Sequence, residues 1–353
     1  MALDFIRPAI RDMEGYTPGE QPRAGERFIK INTNENPFGP SPRVMAAIRG
    51  VDPESLRRYP DPTAAVFRAA AAKLHGVSPD MILAGNGSDD ILAIAMQTFL
   101  SPGDLLAWPE PTYSLYPVLA QLNAVRGVGV PWEDGWRLPS GRLLAARGRA
   151  IFLANPNAPS GTFVEPARVA ELAGAFGGAL LVDEAYVDFA QAHCVDLVAR
   201  HQNLVICRTL SKAYSLAGLR FGYAIAQPHV IEQMNKARDS YPCDAIAIAA
   251  ATAAVEDQPY ARRTWEHVKS ERARVSAELA KLGWTVLPSQ SNFILATVPG
   301  GDGRRAYLAL KDRGILVRYF DKPGLRDKLR ITIGRTDEND ALLKAVQALT
   351  PET

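Results

Sequence analysis

The sequence predicts an α/β protein built on a mainly parallel sheet, followed by a smaller α+β unit. Three observations carry this. Short apolar runs recur along the first two thirds, each bounded by Gly, Pro or charge, with helical stretches between most of them. The last third changes to a long charged amphipathic stretch and strand-like segments. The chain has 353 residues, 47% hydrophobic and 22% charged, enough for roughly two domains and a sizeable core.

Taken in order, residues 1–30 carry Pro, Gly and charge with little periodicity and read as an arm. "NTNENPFGPSP" is a loop, a helix starts at about Ser41, and "RYPDP" (58–62) is an irregular link. Thr63 to His75 is Ala-rich and helical, and Gly76 ends it. Met81 to Ala84 is a strand. "GNGSDD" (85–90) turns into a helix, with Ser88 as N-cap and Asp89 and Asp90 at its positive end. Leu105 to Trp108, Ala150 to Ala154, Ala179 to Val182, Leu204 to Cys207 and Tyr223 to Ala226 are further buried strands. Ala245 to Val255 is a packed helix, and residues 258–282 form a long amphipathic one. "WTVLP", "NFILATV", "GILVRYF" and "KLRITIG" read as strands, with a helix at 303–313 and another at the end. The expected division is an arm at 1–30, a large domain at 31–240 and a small one at 241–353.

Composition excludes several classes. A net charge of +2 gives no field for nucleic acid or an acidic membrane. The smoothest apolar run, Ala245 to Val255, is far short of the roughly 20 residues a membrane span needs. Cys194, Cys207 and Cys243 are too few and too scattered for a disulfide framework, and the N-terminus lacks the apolar core of a signal peptide. The cytoplasm is therefore the expected compartment. The histidines, at 75, 193, 201, 229 and 267, show no metal-ligand spacing.

The chemistry centres on Lys212 in "TLSKAYSLAGLRFGY", just past a strand end. Lysine attacks an aldehyde only when deprotonated, and its ordinary pKa is about 10.4, so an enzyme must lower it or trap the lysine as a Schiff base. "LVDEAYVDF" puts Asp183 at another strand end, about one strand–helix–strand unit earlier, so both residues belong at the carboxyl edge of one parallel sheet. A Schiff-base lysine and a carboxylate for a pyridinium nitrogen are the essentials of a pyridoxal 5'-phosphate site. The helix start at "GNGSDD" offers amides to the phosphate, and Arg220 with Thr209 and Ser211 completes that cradle. In "NPNAPSG" (155–161) Asn157 is expected to hydrogen-bond the ring hydroxyl together with Tyr186, and Tyr113 of "EPTYSLY" to lie on the ring.

These segments together resemble the fold-type-I aminotransferases, most closely the histidinol-phosphate aminotransferases, over nearly the whole chain. The pieces that match, in order, are "NENPFGPSP", "RYPDP", "GNGSDD", "PEPTYSLY", "NPNAPSG", "DEAYVDF", "TLSKAYSLAGLRFGY", "SNF" and "VRYF…PGLRDKLRITIG". The resemblance implies a large domain with a central sheet of about seven strands sandwiched by helices. It implies Lys212 as the Schiff-base lysine, Asp183 at the pyridine nitrogen, Tyr186 and Asn157 at the ring oxygen, and Tyr113 stacked on the ring. Ser88, Asp89, Thr209, Ser211 and Arg220 would surround the phosphate. Tyr59 would reach the phosphate of a neighbouring subunit, making the protein a homodimer. Arg318 and Arg330 would take the substrate anion, with Tyr16 closing over it and Asn36 also at the substrate. The implied reaction is transamination between L-histidinol phosphate and 2-oxoglutarate in histidine biosynthesis. The alternatives are an aromatic amino acid aminotransferase and a threonine-phosphate decarboxylase-like enzyme. A cofactor-binding regulator would need a DNA-binding domain that the arm is too short to supply.

The chain departs from the family pattern at "GSDD", "NAPSG", "AYS" and "SYPCD". None of these is expected to remove a group that does chemistry. Pro242 is expected to reshape the substrate end.

Overall fold

A computed structural model describes residues 5–23 and 25–349; the first four residues of the expected arm, Ala24 and the last four of the chain lie outside it. The centre is a seven-stranded sheet. Across it run Ile82–Gly85, Gly222–Ile225, Leu204–Thr209, Ala179–Asp183, Ala150–Ala154, Leu105–Glu110 and Arg126–Pro131. Gly222–Ile225 is antiparallel to both its neighbours, and the other pairs are parallel.

The apolar runs become strands because both faces of this sheet are covered. Alternate side chains go to opposite sides. Ile151 and Leu153 join one core cluster, while Ala150, Phe152 and Ala154 join another. A strand buried on both faces reads as a continuous apolar run, which is why the inner strands were legible. Arg126–Pro131 was not, because it lies at the sheet edge with most of its residues partly or fully exposed.

Register places the chemistry. Asp183 is the last residue of its strand and pairs with Ala154 on one side and Cys207 on the other. The strand Leu204–Thr209 runs straight into the Lys212 loop. The helix Ser88–Phe99 begins beside these ends. Its cap is Gly87, at φ 91°, and Ser88 is the first helical residue, so the cap stands one residue before the expected Ser88. Only glycine takes that conformation freely.

A second, four-stranded antiparallel sheet runs in the order Arg318–Tyr319, Lys328–Thr332, Phe293–Thr297 and Thr285–Val286. "GILVRYF" is split, since Ile315–Leu316 instead pairs in parallel with Ile29–Lys30 from the end of the arm. The helix Ala245–Glu256 packs on Pro42–Arg49 and Ala65–His75, both within the expected large domain. Among the described residues no helix is long and apolar enough to cross a membrane.

Candidate active site

The carboxyl ends of the inner strands, the start of helix Ser88–Phe99, the loop after Asn32 and the strand Lys328–Thr332 enclose a cavity of about 330 Å³. Lys212 reaches into it and donates from Nζ to Thr33 O at 3.1 Å. Its pKa is pushed down to about 8, first by burial and then by the charge of Arg330. A charged amine loses solvation when enclosed, so the neutral amine gains.

Asp183 faces the same cavity and is 5% exposed. Tyr116 Oη donates to its Oδ2 at 3.0 Å and the Ala185 amide to its Oδ1 at 3.1 Å. Burial outweighs both bonds and raises its pKa to about 6. Such a carboxyl gains most from a cation placed against it. Tyr116 did not emerge from the sequence reading; it lies in the helix Leu115–Leu122, just after Tyr113, whose ring it meets edge-on at 5.8 Å.

The cradle for an anion lies at the other end. Thr209 Oγ1 donates to Ser211 Oγ at 3.0 Å, Arg220 Nη1 approaches Ser211 Oγ at 3.4 Å, and Ser88 and Asp89 open the helix alongside. The first amides of a helix have no carbonyl of their own. Arg220 also pairs with Asp89 at 3.2 Å, and Tyr113 Oη donates to Asp89 Oδ1 at 3.1 Å. A Cβ on Gly87 would stand 2.8 Å from Arg220 Nη2, so the glycine leaves the room the guanidinium needs.

Arg318 and Arg330 are register partners on adjacent strands. Like charges directly opposite repel. Phe320 lies between them, 5.3 Å from the Arg318 guanidinium and 5.5 Å from that of Arg330. Arg330 Nη2 donates to Asn32 O, but its buried Nε has no hydrogen-bond partner among the described residues. Arg318 donates to the carbonyls of Thr17 and Pro18, so the arm crosses here, and Tyr16 packs edge-on against Tyr113 at 6.1 Å. Two guanidiniums with a spare buried donor suit an anionic ligand.

Two expected ligands are not at the cavity. Asn157 is fully buried behind its wall. Both its N–H groups are taken, by Pro111 O at 3.2 Å and Ser160 Oγ at 2.8 Å, and its Oδ1 accepts from Thr112. The wall there is Ala158 and Pro159 instead. The "NAPSG" segment therefore presents no amide to the cavity. Asn36 also turns away; its amide braces the Lys212 loop from behind through Ala213 O at 3.2 Å. Tyr59 is 80% exposed on the outside of the molecule, stacked on Tyr241 with ring centroids 4.3 Å apart.

The groups present fit pyridoxal 5'-phosphate: an amine of lowered pKa, a desolvated carboxyl, a cradle of hydroxyls, a guanidinium and a helix start, and an anion pocket in one enclosure. The comparisons agree. The model of the aminotransferase class I and II family matches residues 26–346. Histidinol-phosphate aminotransferase 1 of Trichormus variabilis is 43% identical over 346 residues, 98% of this chain and 99% of its own length. The Rhodopirellula baltica histidinol-phosphate aminotransferase is 44% identical over 97% of this chain and 94% of its own. The crystal structure of histidinol-phosphate aminotransferase from Sinorhizobium meliloti in complex with pyridoxal-5'-phosphate superposes with a TM-score of 0.89 at 28% identity, covering 99% of each chain. A Thermus thermophilus aspartate aminotransferase mutant, 19% identical with a TM-score of 0.81, shares the fold.

Proposed function

The chain belongs to the class I and II aminotransferases, and within them to the histidinol-phosphate aminotransferases. From that premise we propose that it transfers the amino group of L-histidinol phosphate to 2-oxoglutarate, giving imidazole acetol phosphate and L-glutamate in histidine biosynthesis. One observation carries the reading. Lys212 and Asp183 face a single cavity that also holds two register-paired arginines.

Lys212, Asp183, Tyr186 and Tyr113 would hold the ring of pyridoxal 5'-phosphate. Ser88, Asp89, Thr209, Ser211 and Arg220 would hold its phosphate. Once bound, the cofactor supplies an electron sink for the electrons of a broken C–H bond. The chain supplies the rest. Lys212 Nζ, its pKa lowered to about 8, would take the proton from the carbon that bears the amino group and hold it within the cavity. The Asp183 carboxylate, itself buried, would stabilise positive charge on the ring nitrogen. Arg318 and Arg330 bind the phosphate of one substrate and the carboxylate of the other, so the two half-reactions use one pocket in turn.

The reading includes a cytoplasmic homodimer, in which Tyr59 serves the neighbouring cavity. Its exposed position outside its own cavity supports this. We also place the division between the two domains at Asp257 rather than near 240, because the helix Ala245–Glu256 packs with helices of the larger part.

Lys212→Ala is expected to abolish turnover with the melting temperature little changed. Mixing it with Tyr59→Ala is expected to restore part of the activity, because a mixed dimer has one cavity with both side chains. Near-normal turnover by Lys212→Ala would overturn the catalytic assignment.

A further inference from the structure

Tyr186 lines the cavity, and the reading above gives its hydroxyl to the cofactor ring oxygen. A hydroxyl can donate or accept. Which of the two Tyr186 does is decided by a residue behind it. Asn34 Nδ2 stands 2.9 Å from Tyr186 Oη. Asn34 is 1% exposed, and each of its polar groups is engaged. Its backbone N–H donates to Thr332 Oγ1 at 3.0 Å, the Thr332 hydroxyl donates to Asn34 Oδ1 at 3.0 Å, and its carbonyl accepts from Asn292 Nδ2 at 2.9 Å.

The direction of this chain is set at its start, because a backbone N–H can only donate. It occupies an acceptor site on Thr332 Oγ1, and the Thr332 proton passes on to Asn34 Oδ1. The amide oxygen therefore faces Thr332 and the amide nitrogen faces Tyr186. The flipped amide would put two donors on Thr332 Oγ1 and strip the buried Thr332 proton of the acceptor it has here. An amide NH₂ can only donate. Tyr186 Oη thus accepts from Asn34, and its own proton is left to point into the cavity.

We propose that Asn34 is a positioning residue that fixes Tyr186 as a hydrogen-bond donor into the cofactor cavity, through the relay from the Asn34 backbone N–H to Thr332 and back to the Asn34 amide. The proposal rests on the pyridoxal-phosphate reading. It matters because Asn157, the second expected donor to the ring oxygen, is turned away, and its place in the wall is taken by Ala158. Tyr186 then carries that hydrogen bond without it. The same loop binds Lys212 through Thr33 O and the C-terminal sheet through Thr332, so the relay ties the orientation of Tyr186 to the strand that carries Arg330.

The test is a pH titration of the visible band of the protein loaded with pyridoxal 5'-phosphate. A donor to the ring oxygen stabilises negative charge there and so weakens the hold of the neighbouring Lys212 nitrogen on its proton. Asn34→Gly removes the amide without adding charge. It also suits the backbone, since Asn34 sits at φ 59°, where glycine is at ease. Thr332→Val unlatches the amide and leaves it free to flip. The charged groups facing Tyr186, namely Arg330, Asp183 and Asp89, with Lys212 Nζ 5.9 Å from its ring centre, stay the same in both.

Both variants are expected to raise the visible-band pKa by about half a unit to one unit, and Tyr186→Phe by at least as much. Combining Asn34→Gly with Tyr186→Phe is expected to add nothing to Tyr186→Phe alone, because Asn34 acts through that hydroxyl. Wild-type titration in Asn34→Gly and Thr332→Val alongside a shifted Tyr186→Phe would overturn the proposal. So would shifts that add in the double variant. A wild-type protein with no visible band after incubation with the cofactor would overturn the site reading itself, and the proposal with it.

Discussion

Burial and the charge of Arg330 bring Lys212 down to about 8 from the ordinary lysine range. The sign of the consequence is definite. Below about pH 8 the Nζ is mostly protonated and cannot attack an aldehyde; above it the amine is mostly free. Cofactor-free protein should therefore capture pyridoxal 5'-phosphate about tenfold faster per pH unit up to about pH 8 and level off above. Rapid-mixing absorbance measures this directly, and a rate still climbing at pH 10 would show an unperturbed lysine. Lys212 and Asp183 were legible in the sequence because each sits at or just past the end of an apolar strand run, and the register of a buried sheet then says where it goes; Arg330, in the middle of its strand, was legible only through the family resemblance. Asn157 was misread for a physical reason. Loop spacing does not reveal which side of the wall an amide faces, and Pro111 and Thr112, far away in sequence, claim it. Asn34 stayed hidden because its partners Thr332 and Asn292 are remote in the chain.

At the scale of elements, the phosphate cradle depends on two backbones passing unusually close. A Cβ on Gly222 would stand 2.4 Å from Gly87 C and Ser88 N, where no flexible side chain can yield. Gly222→Ala should push the start of helix Ser88–Phe99 away from Arg220. The expected loss is about 1–3 kcal/mol of stability and about tenfold or more in cofactor affinity. Gly218→Ala, four residues earlier with open space around it, is the control expected to do neither. Calorimetric melting and cofactor titration check both, and full affinity in Gly222→Ala would contradict the cradle. The inner strands and most helices could be read from pattern, since the former are covered on both faces and the latter are amphipathic or capped. The edge strand Arg126–Pro131 could not. Its "RGVGVP" has little apolar content, and its Gly127 is needed because Trp108 lies where a Cβ would go, 2.3 Å away.

At the scale of the whole molecule, the cavity exists because the ends of one sheet face the edge of another. The parallel pairing of Ile29–Lys30 with Ile315–Leu316 joins the end of the arm to the C-terminal part, and Arg318 holds the arm by the carbonyls of Thr17 and Pro18. Two-residue strands so far apart leave no pattern in a sequence, so this closure was legible only through family resemblance. It brings Arg318 and Arg330 to within reach of whatever Lys212 and Asp183 act upon. The most direct measurement is a single-turnover mix of the purified, cofactor-loaded protein with L-histidinol phosphate, followed in the visible. The visible band should be lost rapidly and return on addition of 2-oxoglutarate. A band that phenylalanine or tyrosine bleaches while histidinol phosphate leaves it intact would contradict the substrate assigned to the two arginines.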